Sequence, residues 1–145
     1  MTPSGTAIPR ATLRVLLVED DDDHVFLIRR ALRSLAGVSV TTEIARTGEQ
    51  AIDQLRRASF ESGALPELVL LDLKMPRLDG LEVLRRLRAD PTLQSLPVVV
   101  LTSSERDDDR DQALRLGATW YLCKPLDGAR FRAEVQQLAA RWAHS

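Results

Sequence analysis

The feature that most constrains the fold is a regular alternation of short strand-like segments with segments of helical periodicity. There are five short segments, four of them continuously apolar, and each precedes a stretch whose apolar residues recur every three or four positions. Apolar strands separated by helices are typical of a parallel sheet that is covered by helices on both faces. Because crossovers between parallel strands are right-handed, we predict a doubly wound α/β fold.

Capping residues, turn residues and the apolar pattern predict where these elements begin and end. The second strand, Val38 to Ala45, alternates apolar with other residues, which indicates a position at the edge of the sheet. Thr47 begins a capping box that predicts a helix ending near Ala58. Ser104 and Gly117 are a typical start and stop for the fourth helix. The other strands are predicted at Val15–Val18, Leu68–Leu71, Val98–Thr102 and Trp120–Lys124.

Composition indicates a single globular domain. The chain has 145 residues, 44% hydrophobic and 28% charged, which is enough for one core. A formal net charge of −1 does not point to nucleic acid or acidic membranes, and no apolar run approaches the ~18 residues of a membrane span. We expect residues 1–12 to form a flexible lead-in and residues 13–145 to form the domain. Since Cys123 is the only cysteine, there is no internal disulfide, and we expect a cytoplasmic protein.

Polar side chains stand at the carboxyl end of four predicted strands. Glu19, Asp20 and Asp21 follow the first strand, and Asp72 follows the third. Thr102 ends the fourth strand, and Lys124 ends the fifth. Because parallel strands place their carboxyl ends at one edge of the sheet, we expect these groups to converge there.

Convergence of three carboxylates would create a site that favours a hard cation. Like charges at close range resist ionisation, and Lys124 offsets only one of the charges of Glu19, Asp20 and Asp72. A donor set of oxygen atoms favours Mg²⁺ over zinc. In such a site Asp72 could act as a nucleophile toward phosphorus, while Mg²⁺ and Lys124 neutralise the transferring group. The Thr102 hydroxyl could donate a hydrogen bond to a phosphoryl oxygen.

At these positions the chain resembles the receiver domain of bacterial response regulators. The resemblance extends from Leu13 to Trp142 and is carried by "LLVEDD", "LLDLKMPRLDG", "VVVLTSS" and "GATWYLCKP". It implies a flavodoxin-like receiver fold with five parallel strands in the order 2-1-3-4-5. It also implies a signalling domain that assists its own phosphorylation and dephosphorylation and is not an enzyme.

The resemblance implies a role for each matched residue. Asp72 is the expected phosphoacceptor, assisted by Lys124 and Thr102. Thr102 and Tyr121 are the expected switch residues, and the peptide bond before Pro125 is expected to be cis. The expected Mg²⁺ ligands are Glu19, Asp20, Asp72 and the backbone carbonyl of Lys74.

The resemblance also implies partners. A sensor histidine kinase would donate the phosphoryl group in a two-component phosphorelay, and the face formed by the fourth helix, fifth strand and fifth helix would change state. The loops before Leu68 and Pro97 and the segment "TSSERDDD" are similar to regulators paired with bacteriophytochrome kinases. Because the chain stops after the fifth helix, we expect a stand-alone receiver that forms a homodimer through that face and binds neither nucleic acid nor membrane.

Two other functions remain open from the residues alone. A phosphatase with a nucleophilic aspartate would carry a second aspartate two residues later as general acid, where this chain has Lys74. No "GxxxxGK" or "GxGxxG" motif is present to bind nucleotide phosphates. A binding adaptor would use the same fold without phosphorylation.

Several neighbouring residues have simpler interpretations. Asp22 and Asp23 are expected to cap the first helix, where the helix dipole favours acidic side chains. His24 lies near the acids and is interpreted as a surface histidine, with a metal-binding role as the alternative. Cys123 is expected to be a small buried residue, and Trp142 is expected to supply apolar surface for the homodimer.

Overall fold

The computed structural model describes residues 11–61, 64–102 and 107–143. Within these ranges, five strands alternate with five helices. The strands are β1 (Ala11–Val18), β2 (Val38–Ala45), β3 (Leu68–Asp72), β4 (Val98–Thr102) and β5 (Trp120–Cys123). The helices are α1 (Asp22–Arg33), α2 (Gly48–Ser59), α3 (Gly80–Ala89), α4 (Asp107–Arg115) and α5 (Gly128–Trp142).

The strands form one parallel sheet in the order β2-β1-β3-β4-β5, which confirms the predicted doubly wound topology and the edge position of β2. Each face of the sheet buries its own apolar cluster. One cluster lies under α1 and α5 and contains Ile28 and Phe131. The other lies under α2, α3 and α4 and contains Ile52, Leu84 and Ala113. Helices on both faces leave the carboxyl edge of the sheet as the place for polar chemistry.

The largest difference from the predicted element boundaries is at the start of β1. β1 begins at Ala11, four residues before the predicted start, because its ladder with β2 runs from Ala11 opposite Val38 to Val18 opposite Ala45. Residues 11 and 12 of the expected lead-in therefore belong to the sheet, and residues 1–10 lie outside the described part. The predicted cap at Ser104 also lies outside the described residues, and α4 begins at Asp107.

The predicted burial of Cys123 is wrong. Cys123 is exposed because β5 is an edge strand, and Cys123 is on the face opposite Leu122, which packs in the cluster under α5. Trp142 is partly buried against that same cluster. Trp120, which is 47% exposed, supplies more exposed aromatic surface on this side of the fold.

None of the helices in the described part of the chain is long and apolar enough to cross a membrane.

Candidate functional site

Three polar side chains are buried at the carboxyl edge of the sheet. Glu19, Asp72 and Thr102 are 0%, 2% and 2% exposed, and they make up the whole set of buried polar or charged residues in the described part of the chain. Each stands at the end of a different strand, β1, β3 and β4. Burying such groups is costly unless they are hydrogen-bonded, paired or bound to a metal, so their shared position marks a candidate functional site.

The backbone after β3 fixes the position of Asp72. Its Oδ1 atom accepts a hydrogen bond from the Lys74 backbone amide at 3.2 Å. The chain then returns, and the Gly80 amide donates to the Leu73 carbonyl at 3.1 Å. A Cβ atom at Gly80 would lie 2.4 Å from the Asp72 carbonyl oxygen, so only glycine allows α3 to begin this close to the strand end.

Glu19, Asp20 and Asp72 form the carboxylate cluster that the sequence predicts. Each offers an oxygen atom, and these atoms all lie within 4.8 Å of one another. Burial raises the pKa of Glu19 to about 8, and a hydrogen bond and charge repulsion from Asp72 add to the effect. An all-oxygen cluster that resists full ionisation fits a hard divalent cation, which would supply the missing positive charge.

Lys124 reaches the same cluster from the end of β5. Its Nζ atom lies 3.4 Å from Glu19 Oε1 and 3.6 Å from Asp72 Oδ1, and its side chain is only 10% exposed. The Lys124 backbone amide donates to the Thr102 carbonyl at 2.8 Å, which ties the end of β5 to β4. The expected cis bond between Lys124 and Pro125 is present. The predicted convergence of Glu19, Asp20, Asp72 and Lys124 is therefore confirmed.

His24 lies beside this site with its side chain 35% exposed, so it is a partly exposed histidine in contact with the cluster. Its Nδ1 atom lies 2.9 Å from Lys124 Nζ and 3.4 Å from Glu19 Oε1. The Asp21 side chain caps α1 by accepting from the Asp23 and His24 amides, which fixes the first turn beside the cluster. The short spacing between Glu19 and His24 indicated that the two residues are near each other, but nothing in the sequence indicated the contact between His24 and Lys124.

The acids Asp22 and Asp23 lie at the start of α1 as predicted, although the capping side chain is that of Asp21. Asp22 and Asp23 both occupy the first turn of the helix. Asp22 forms an ion pair with Arg46, and neither residue is part of the carboxylate cluster.

Tyr121 and Lys74 lie near the site, and both contact residues of α4. The Tyr121 ring is partly buried against the apolar cluster under α4, and the Arg110 guanidinium carbon lies 5.3 Å from its centroid. The rings of Tyr121 and Trp120 stack, with centroids 5.2 Å apart. The Lys74 ammonium lies 3.5 Å from Asp109 Oδ2, so it points toward α4. The roles of Tyr121 in switching and of the Lys74 carbonyl in metal binding remain predictions.

Comparison with known proteins agrees with this arrangement. Residues 15–136 match the model of the response regulator receiver domain family. The probable methanogenesis regulatory protein FilR2 of Methanothrix harundinacea is 40% identical over 128 residues, which cover 88% of this chain and 82% of that protein.

Two solved structures share the fold closely. The Mn²⁺-bound response regulator Rcp1 is 33% identical with a TM-score of 0.75, over 90% of this chain and 94% of that one. The phosphorylated cyanobacterial phytochrome response regulator RcpA is 34% identical with a TM-score of 0.75, over 91% of this chain and 94% of that one. The chain therefore belongs to the response regulator receiver domain family and has the phosphoacceptor function of two-component signalling.

Proposed function

We propose that Asp72 is the residue that accepts the phosphoryl group, which a sensor histidine kinase donates from a phosphohistidine. The observation that carries this proposal is the environment of Asp72. Its carboxylate is 2% exposed, shares a cluster with Glu19 and Asp20, and lies 3.6 Å from the Lys124 ammonium. A carboxylate used only as a cap or for solubility would lie at the surface.

The transfer is a nucleophilic displacement at phosphorus. A carboxylate oxygen of Asp72 forms a bond to phosphorus while the bond between phosphorus and the histidine nitrogen breaks, and the electron pair returns to the imidazole. The product is an aspartyl phosphate. Lys124 then pairs with a phosphoryl oxygen, because the transferred group adds negative charge at the end of β3.

The residues that would hold Mg²⁺ are Glu19, Asp20, Asp72 and the backbone carbonyl of Lys74. When bound, the ion would neutralise charge on the transferring group and orient it for in-line attack. Support comes from the oxygen-only cluster and from the raised pKa of Glu19, which both indicate a missing positive charge. The similarity to a Mn²⁺-bound regulator supports the binding of a divalent ion.

The proposed switch runs from Thr102 to the face of α4, β5 and α5. The Thr102 hydroxyl donates to the new phosphoryl group, and Tyr121 moves into the space that Thr102 leaves. The supporting observations are the burial of Thr102 beside the cluster and the packing of Tyr121 against α4. Because Arg110 of α4 lies over the Tyr121 ring, a movement of Tyr121 would displace α4.

We propose that the kinase is of the phytochrome type, since RcpA, which this chain resembles, is a phytochrome response regulator. We also propose that the protein forms a homodimer through the face of α4, β5 and α5. The exposed ring of Trp120 on β5 would lie at the centre of that contact.

The phosphatase alternative is disfavoured by Lys74. This residue stands two positions after Asp72, where a general acid would be required, and its ammonium is directed to Asp109.

A phosphorylation assay with phosphoramidate and Mg²⁺ tests the proposal that Asp72 is the phosphoacceptor. Wild-type protein is expected to gain one phosphoryl group in intact-mass spectra, and Asp72→Asn is expected to gain none.

Asp53→Asn serves as the matched control, because Asp53 lies on the exposed surface of α2, where it pairs with the Arg57 guanidinium at 2.9 Å. Normal phosphorylation of Asp72→Asn would refute the assignment. Repeated turnover of a phosphomonoester by the wild-type protein would favour the phosphatase.

A further inference from the structure

We propose that His24 is a positioning residue for Lys124. Its Nδ1 atom accepts a hydrogen bond from the Lys124 ammonium and so keeps that group from closing onto the carboxylates. This inference rests on the proposed function of the same site, and it assigns a task to a residue outside the metal ligands and the phosphoacceptor.

Distances at the ammonium identify its preferred acceptor. Lys124 Nζ lies 2.9 Å from His24 Nδ1, 3.4 Å from Glu19 Oε1 and 3.6 Å from Asp72 Oδ1. Strong hydrogen bonds from nitrogen donors have lengths of about 2.7–3.2 Å. The contact with His24 is therefore the one of these three that falls within the usual range.

The chemistry of the two groups fixes the direction of this hydrogen bond. An ammonium carries three N–H donors and no acceptor, so His24 Nδ1 must provide the lone pair. The ring proton then lies on Nε2. The imidazole is a neutral acceptor, which Lys124 can leave at lower electrostatic cost than it could leave a carboxylate when the phosphoryl group arrives.

The position of His24 is set by the fold of α1. Its backbone amide donates to the Asp21 cap at 3.3 Å, and its side chain is 35% exposed. One residue further along, Val25 is 5% exposed and anchors the same turn in the apolar cluster under α1 and α5. A ring held on a packed helix can restrain the flexible end of Lys124.

Loss of this acceptor has a definite consequence for the cluster. Without His24, the nearest acceptors for Lys124 are Glu19 and Asp72, which are two of the proposed Mg²⁺ ligands. An ammonium that closes onto them competes with the ion for the same oxygen atoms. His24 thus keeps the carboxylates accessible to Mg²⁺ and leaves Lys124 ready for the phosphoryl group.

The test compares three substitutions by the Mg²⁺ affinity of the unphosphorylated protein, measured by calorimetry. His24→Leu removes the acceptor, His24→Asn places an amide oxygen where Nδ1 stood, and His24→Gln places one where Nε2 stood. The dissociation constant for Mg²⁺ is expected to rise about three- to tenfold in His24→Leu and His24→Gln, which is the effect of losing one hydrogen bond. In His24→Asn it is expected to stay within about twofold of the wild-type value.

A Lys124→Met background separates positioning from a general structural effect. There the ammonium is absent, so His24→Leu is expected to leave the Mg²⁺ affinity unchanged. In addition, ¹⁵N spectra of the two histidines are expected to show His24 with its proton on Nε2, and the Nδ1 resonance is expected to shift when a beryllofluoride adduct draws Lys124 away.

An equal loss of affinity in His24→Asn and His24→Leu would overturn the proposal, since the bulk of the ring would then matter and not its acceptor. An undiminished effect of His24→Leu in the Lys124→Met background, or a wild-type affinity in His24→Leu, would also overturn it. The Mg²⁺ affinities are measured on the unphosphorylated protein without a phosphoryl mimic, so their failure is distinct from a failure of the assignment of Asp72.

Discussion

The Lys124 ammonium lies 3.6 Å from the Asp72 carboxylate, although the two residues come from different strands at the carboxyl edge of the sheet. β4 separates β3 from β5 in the sheet, so Lys124 reaches across the end of a strand to approach Asp72. With 10% exposure, its charge is screened little by solvent and acts mainly on Asp72 and Glu19.

Replacing this ammonium should separate metal binding from phosphoryl transfer. Lys124→Met is expected to bind Mg²⁺ more tightly, because the carboxylates lose a competing cation. Its rate of phosphorylation by phosphoramidate is expected to fall at least about tenfold, because charge on the transferring group is no longer offset. Arg57→Met, on the exposed surface of α2, is the control for loss of one positive charge. Equal phosphorylation rates for Lys124→Met and wild type would contradict this role.

The raised pKa of Glu19 predicts an unusual dependence of stability on pH. In the metal-free protein the pKa of Glu19 is about 8, above its ordinary value of 4.5. Between these two pH values the Glu19 carboxyl group is therefore protonated in the folded state and ionised in the unfolded state. The free energy of unfolding should therefore decrease between about pH 5 and pH 8, with a Glu19 contribution of at most about 1.4 kcal/mol per pH unit. Urea denaturation at a series of pH values in the presence of a chelator measures this change in the free energy of unfolding.

Glu19→Gln is the matched variant for that experiment, because the amide keeps the size of the side chain and does not titrate. Its stability is expected to change less with pH over the same interval. Mg²⁺ should stabilise the wild-type protein more as the pH rises, because the ion competes with the Glu19 proton. A wild-type stability that increases from pH 5 to pH 8 in the chelator would contradict the account.

Close contact at the start of α3 predicts that Gly80 cannot be replaced. A Cβ atom there would lie 2.4 Å from the Asp72 carbonyl oxygen and 2.6 Å from Leu73 Cα, and both are backbone atoms that cannot move independently. Gly80→Ala is expected to lower the free energy of unfolding by about 1–3 kcal/mol and to weaken Mg²⁺ binding. Ala89→Ser, at the exposed end of α3, is the control. Wild-type stability in Gly80→Ala would refute the close approach.

The two tryptophans should respond differently to truncation. Trp120→Ala is expected to convert the proposed homodimer to a monomer in analytical ultracentrifugation with little loss of stability, since the ring is 47% exposed. Trp142→Ala is expected to lower the free energy of unfolding, because its ring packs against the core cluster under α5. A monomeric wild-type protein, or a Trp120→Ala variant that still dimerises, would exclude this interface.

Most of the fold was predictable because its signals are local. β3 and β4 read as continuous apolar runs since both faces of a central strand are buried, and β4 has the predicted limits from Val98 to Thr102. The start of β1 was missed because Ala11 to Arg14 carries no apolar run, and its strand conformation comes from pairing with β2. The prediction that Cys123 is buried was wrong because a short apolar segment does not reveal which face of an edge strand is covered.

The site was predictable to the extent that it depends on strand ends. Glu19, Asp72 and Lys124 each follow an apolar run, and parallel pairing alone brings such positions together. The part played by His24 could not be derived in the same way, since it lies on a helix and its contact with Lys124 depends on side-chain packing between distant segments.

Identification of the phosphorylated residue tests the central claim most directly. The protein would be phosphorylated by phosphoramidate with Mg²⁺, reduced with borohydride, which converts an aspartyl phosphate to homoserine, and sequenced by tandem mass spectrometry. The account predicts homoserine in place of Asp72 and at no other position. Homoserine at another aspartate, or a phosphoryl group stable to borohydride on a hydroxyl side chain, would contradict it.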